Sequence, residues 1–154
     1  MEFLRTFHGH NKWLVLLALV VALLVQTRAA LGGRDYGKLE RATFAAGAGL
    51  LGLQLVMGLV LLTQYGLSLP HVVEHATTMV LAFIVAHVPY RYKQRPGPDR
   101  ARIGALCLGA ALVLVIVGIA RLPYPFFGGS KKAAAAQVEV PASTAPESAP
   151  ATTP

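Results

Sequence analysis

The chain has 154 residues, of which 55% are hydrophobic and 14% charged, with a formal net charge of +7. Soluble domains carry roughly 25% charged residues, so this composition excludes an ordinary soluble enzyme and points to segments buried in lipid. The single cysteine, Cys107, excludes an internal disulfide, and its place inside an apolar run fits a thiol acting as a small hydrophobe.

Four apolar runs follow one another, at 13–31, 42–62, 72–89 and 103–119. A spanning helix needs roughly 20 residues. The first and third runs reach that length if their helices begin at the histidines before them, and Thr6 is placed to cap a first helix starting near Phe7. The fourth reaches it if 101–102 and 120–122 extend it into the interface. Lys12, the run 13–25 and Thr27-Arg28-Ala29 loosely mimic a secretory signal, but Arg28 fits a cleavage site poorly, so the segment reads as a first span. The expected architecture is an all-α integral membrane bundle with four helices running up, down, up and down. Its transmembrane domain covers 1–127, with spans at about 8–31, 42–63, 70–90 and 101–122. The tail, 128–154, is rich in Ala, Pro, Ser and Thr, cannot bury enough surface to fold, and is expected to be disordered.

Charge falls in the loops. Arg28, Arg34, Lys38 and Arg41 lie between the first and second spans, and Arg91, Lys93, Arg95, Arg100 and Arg102 between the third and fourth. The loop 64–70 has no basic residue. Lys/Arg-rich short loops stay in the cytoplasm, so both termini are expected outside. Topology accounts for the positive charge, and no nucleic-acid partner is expected. Gly32-Gly33, Tyr65-Gly66 and Pro96-Gly97-Pro98 punctuate the turns, and Trp13, Tyr65, Tyr90, Tyr92 and Tyr124 sit near span ends as interfacial aromatics do. Small residues at Ala45/Gly49, Ala48/Gly52 and Ala105/Gly109 have the spacing that lets helix backbones approach closely.

Of the five histidines, His8 and His10 open the first span and His71 and His75 open the third. Spans one and three point the same way, so these four imidazoles gather at one membrane face. Imidazole is the usual ligand for haem iron and many metals. His71 and His75 are one turn apart on a shared face, which Thr78 and Ala82 continue, with Met79 and Ala86 close by. His8 and His10, two residues apart, cannot both face inward, and the deeper His10 is the expected inward one. A six-coordinate haem b needs imidazoles from two helices at one depth, which makes His10 with His75 the expected pair and His8 with His71 the alternates. Copper held by His and Met79 is a further option. A structural alternative has the histidines bonding Gln54, Glu74 or backbone across the bundle. His87 lies about 18 Å farther along the axis than His75 and is read as interfacial. Glu74, an acid inside a span boundary, is positioned to orient an imidazole or to pair with Arg5, Lys12 or Arg121. Gln54 is read as an inter-helix hydrogen-bonding residue. The phosphate loop, nucleotide glycine fingerprint, CxxC and HExxH are absent, so a protein that is not an enzyme is favoured, an electron-transfer protein if haem is bound.

Several segments together resemble a small bacterial four-span family, described as cytochrome b-like and common in Bacteroidetes. They are Phe7-His8-Gly9-His10-Asn11-Lys12-Trp13, Leu53-Gln54-Leu55-Val56-Met57-Gly58-Leu59, Val73-Glu74-His75 and Ile119-Ala120-Arg121-Leu122-Pro123-Tyr124-Pro125-Phe126. His8, His10 and His75 match that family's histidine elements, while Gly52 stands where it often has another histidine. The Gln-Leu-Val-Met-Gly span, short loop and Pro-started histidine helix also resemble half of a haem A synthase, which duplicates a four-helix haem-binding unit. These resemblances imply a b-type haem protein of the bacterial inner membrane, in electron transfer or as an accessory of a respiratory complex. Its expected partners are membrane lipid, other respiratory membrane subunits or a second copy of itself. The alternatives are a haem-free structural or assembly subunit, a haem A synthase-like half-unit, or a small enzyme or chaperone acting on haem or metal.

Overall fold

The apolar runs form helices: α1 Glu2–Leu31, α2 Lys38–Tyr65, α3 Pro70–His87 and α4 Gly97–Ala120, with a short 3-10 helix, Val88–Tyr92, between the last two. The computed structural model describes residues 2–33, 35–65 and 70–122, all within one compact unit. The tail 128–154 and Tyr124 lie outside the described residues, as does the side chain of Tyr65. All four long helices are long and apolar enough to cross a membrane. Around the bundle α1 packs on α2 and α4, and α3 packs on α4 and more loosely on α2. This leaves α1 and α3 diagonal, as expected for the up-down-up-down order.

The first helix starts earlier than its apolar run. It begins at Glu2 rather than near Phe7, and Thr6 is an interior residue rather than its cap. At about 1.5 Å per residue it exceeds the roughly 30 Å hydrocarbon core, so its polar first turns can stand in the interface. It ends where Gly32 N–H donates to the Arg28 carbonyl at 3.0 Å and Gly33 takes φ 59°, a left-handed conformation that glycine enters without steric cost. Pro89 lacks an N–H and cannot continue α3 as a regular α-helix; the chain tightens there into the 3-10 segment, which carries the third span on to Tyr92. Pro98 in the first turn of α4 has a fixed φ suited to helix initiation, and Asp99 beside it complements the helix dipole.

The faces are sorted in the reverse of a soluble protein. Leu17, Leu24, Val56, Ile84, Leu106 and Val113 are exposed on the outside, where lipid tails suit them. The inside is built largely from small residues: Ala22, Ala48, Ala82, Ala86 and Ala111 are completely covered. Along α4 the buried positions Ala101, Gly104, Leu108, Ala111, Val115 and Gly118 alternate steps of three and four, a single helix face. With lipid on one side and protein on the other, close backbone approach and dispersion hold such helices together. Gly52 packs so closely on Phe83 that an added Cβ would lie 3.1 Å from its ring, and a Cβ added at Gly47 would lie 3.4 Å from the Ala18 carbonyl oxygen and Ala22 Cβ of α1. Ala48 and Gly52 thus serve packing as their spacing suggested, whereas Ala45 and Gly49 face outward.

Candidate functional site

The buried stripe of α1 is Asn11, Val15, Leu19, Ala22 and Gln26. One step back along it, at spacing three, lies His8. Its ring packs on α2, where a Cβ at Gly58 would sit 3.1 Å from His8 Cε1. His8 Nδ1 is buried with no hydrogen-bond partner. The expectation that His10 is the inward member of the pair is therefore corrected. His10 is exposed, and its Nδ1–H donates to the Thr6 carbonyl at 2.8 Å. Depth alone suggested His10; the rotation of α1 about its own axis decides for His8. Two residues turn a helix by about 200°, so the two rings cannot exchange roles without turning the whole helix.

That rotation is set by polar groups. Gln54, 7% exposed in α2, accepts from Asn11 Nδ2 at 2.8 Å and donates from Nε2 to the His8 carbonyl at 2.9 Å. Gln54 bonds across the helices as expected. Asn11 was overlooked in the sequence, although a polar residue three positions after His8 and four before Val15 falls on the same helical stripe.

From α3, His75 meets α4: its Nδ1–H donates to the Gly118 carbonyl at 2.9 Å. A carbonyl only accepts, so the proton of the neutral ring sits on Nδ1 and Nε2 keeps a lone pair. Gly118 is a glycine because the space beside it is occupied: an added Cβ would run into the Met79 methyl group and lie 3.3 Å from Thr78 Cβ. The two diagonal helices thus each carry one such histidine, His8 packed on Gly58 of α2 and His75 bonded to Gly118 of α4.

The other predicted residues stand around this pair rather than in it. Half-buried His71 lies one turn from His75 toward the helix start. Glu74 points outward and pairs with Arg121 at 3.9 Å, both side chains more than half exposed; of the roles its position allowed, the structure shows an ion pair rather than an imidazole contact. Thr78 turns its hydroxyl onto the Glu74 carbonyl at 2.6 Å. His87 is at the far end of α3, where its Nδ1–H donates to the Phe83 carbonyl at 2.8 Å. Its ring lies between Phe83 at 4.0 Å and Tyr90 at 5.6 Å. Among the described residues no group of three or more His, Cys, Asp or Glu side chains is gathered to hold a metal ion.

A second polar cluster at the opposite end escaped the sequence reading. Gln26 is completely buried and donates to the Glu40 carbonyl at 2.8 Å. The Arg100 guanidinium sits over the Tyr36 ring at 4.1 Å, while Tyr36 packs on Ala29, Ala30 and Ala101. Burial pushes the Tyr36 phenol up from its ordinary range, with the Arg100 charge opposing. A span-end Gln on the buried stripe of α1 was the available signal for this cluster.

These features define a four-helix bundle of the integral membrane type with a two-histidine site near one end. No family model, curated protein or solved structure matches the chain.

Proposed function

We propose that the chain is a b-type haem-binding membrane protein in which His8 and His75 would hold the haem iron. The observation that carries this reading is the state of the two rings. Metal-bound imidazoles characteristically donate their second nitrogen to a carbonyl, which orients the ring and leaves the other nitrogen to the metal; His75 makes that bond to Gly118. His8 faces the same interior with a buried, unpartnered nitrogen, and an unmet polar atom in an apolar bundle is costly unless a ligand or water completes it. Two imidazoles, one from each diagonal helix, are the donor chemistry that would hold a haem iron. When bound, haem would supply one-electron chemistry; the chain's own residues hold the rings, orient them and exclude water. In this reading the bundle is an electron carrier or a respiratory-complex accessory in the bacterial inner membrane, with both termini outside.

The test is the absorption spectrum of the purified protein after haem supplementation. A Soret band that His8→Ala and His75→Ala each remove, and that His10→Ala leaves in place, is expected. A wild-type protein with no Soret band overturns the reading.

A second reading, a haem-free structural or assembly subunit, is favoured by the closeness of Met79 and Thr78 to Gly118 and by the Asn11–Gln54–His8 bonds, which together fill and tie the same region. It predicts that a His8→Ala, His75→Ala double variant keeps its fold and its partner association.

A further inference from the structure

Between α1 and α2, on the outside of the bundle, runs a groove of about 260 Å³ lined by Leu14, Leu17, Ala18, Val21, Thr43 and Ala46. It is apolar, and it exists because Ala18 and Ala46 supply no bulk between the leucines of α1 and the start of α2. Its direction carries the argument. On α1, Arg28 lies seven residues beyond Val21 and is exposed; seven residues is close to two whole turns, so Arg28 stands on the groove's own face at the basic end of the bundle. On α2 the exposed Leu39 and Ala42 continue the face of Thr43 and Ala46 toward exposed Lys38. Of the acids nearby, Glu40 is engaged, accepting from the Gly37 N–H at 2.9 Å, and Asp35 is exposed in the connecting loop. An apolar channel therefore runs up to a pair of cations.

The length is right for one leaflet. From Ala18 to Arg28 the helix rises about 15 Å, the same as half of the roughly 30 Å hydrocarbon core, so the groove from Ala18 onward lies in the leaflet whose headgroups meet Arg28, and Leu14, next to the interfacial Trp13, lies past the midplane. We infer that this groove is a binding site for an anionic phospholipid, with one acyl chain along Leu17, Ala18, Val21 and Ala46 and its phosphate between Arg28 and Lys38. Zwitterionic lipid would fill the groove equally well but would gain little from the two cations.

Native mass spectrometry of the full chain, released from micelles with equimolar phosphatidylglycerol and phosphatidylcholine, tests this. One phosphatidylglycerol should be retained preferentially, by about fivefold for each basic residue at the surface. Arg28→Gln should lower that preference about fivefold and Arg28→Lys should keep it. Ala46→Phe, which fills the groove, should abolish retention of either lipid, and Arg95→Gln, at the same end but off the groove, should change nothing. Equal retention of both lipids by the wild-type chain overturns the inference without any variant. So does preferential retention that survives both Ala46→Phe and Arg28→Gln in proteins whose helical circular dichroism is intact.

Discussion

Gln54 uses both ends of its amide to tie α2 to two residues of α1. Inter-helix hydrogen bonds in membranes contribute about 0.6 kcal/mol on average and up to roughly 1.7, and a polar group left unpartnered on burial costs more. Gln54→Leu keeps the volume but strands the Asn11 amide and the His8 carbonyl, so it should destabilise the bundle by about 1–2 kcal/mol, read as an earlier transition in denaturing detergent. Tyr36 gives a pH dependence at the other end. Its phenol is raised in the folded protein, chiefly by burial, so the folded state holds that proton where the unfolded chain releases it. Stability from this group is complete below the ordinary phenol value of 10.0 and falls as pH rises through and above it. Tyr36→Phe should therefore lose less thermal stability than wild type between about pH 9 and 11.

At the scale of the helix, glycines that look alike in the sequence do different things. A Cβ at Gly104 would meet Gln26 Oε1 at 3.0 Å and its Cδ at 3.4 Å, and Gln26 is held by Glu40 and cannot easily retreat. Gly49 has nothing within 4 Å. Gly104→Ala should cost about 1–3 kcal/mol by overpacking, while Gly49→Ala should be neutral or gain about 0.5–1 kcal/mol from the better helix former, measured in the same unfolding assay. The spans themselves were legible because an apolar run of bilayer length has few other uses. Their ends were less so: α1 extends back to Glu2 through polar residues that hydropathy discounts but that can still be helical in an interface. The inward face of α1 was present in the spacing of His8, Asn11, Val15 and Leu19, yet a choice made on depth passed it over. The Tyr36–Arg100 stacking was not legible, because it depends on how the loop after α1 approaches the start of α4.

For the molecule as a whole, an even number of crossings returns the chain to the side where it started. The basic residues of the two loops at the other side make the orientation testable. With Cys107→Ser as background, Gln94→Cys should react with a membrane-impermeant maleimide only in inverted vesicles, whereas Glu2→Cys should react in intact cells stripped of their outer layers; the reverse pattern would place both termini in the cytoplasm. His8 and His75 belong to this scale as well, because α1 and α3 are diagonal and are held relative to one another through α2 and α4. Among the described residues each end of the bundle carries a buried glutamine, Gln54 beside His8 and Gln26 beside Tyr36.

The double bond of Gln54 to α1 has a consequence for misassembly. Two smooth apolar helices can slide past each other by a turn, about 5.4 Å, with little change in the lipid around them. A slip of α1 in one direction would bring Lys12 to Gly58 in place of His8, and in the other direction Leu4. Either error breaks both amide contacts at once and presents the interior with an ammonium group or a hydrocarbon instead of an imidazole. The glutamine acts as an alignment key: it admits α1 at one height only and so keeps the His8 ring opposite Gly58.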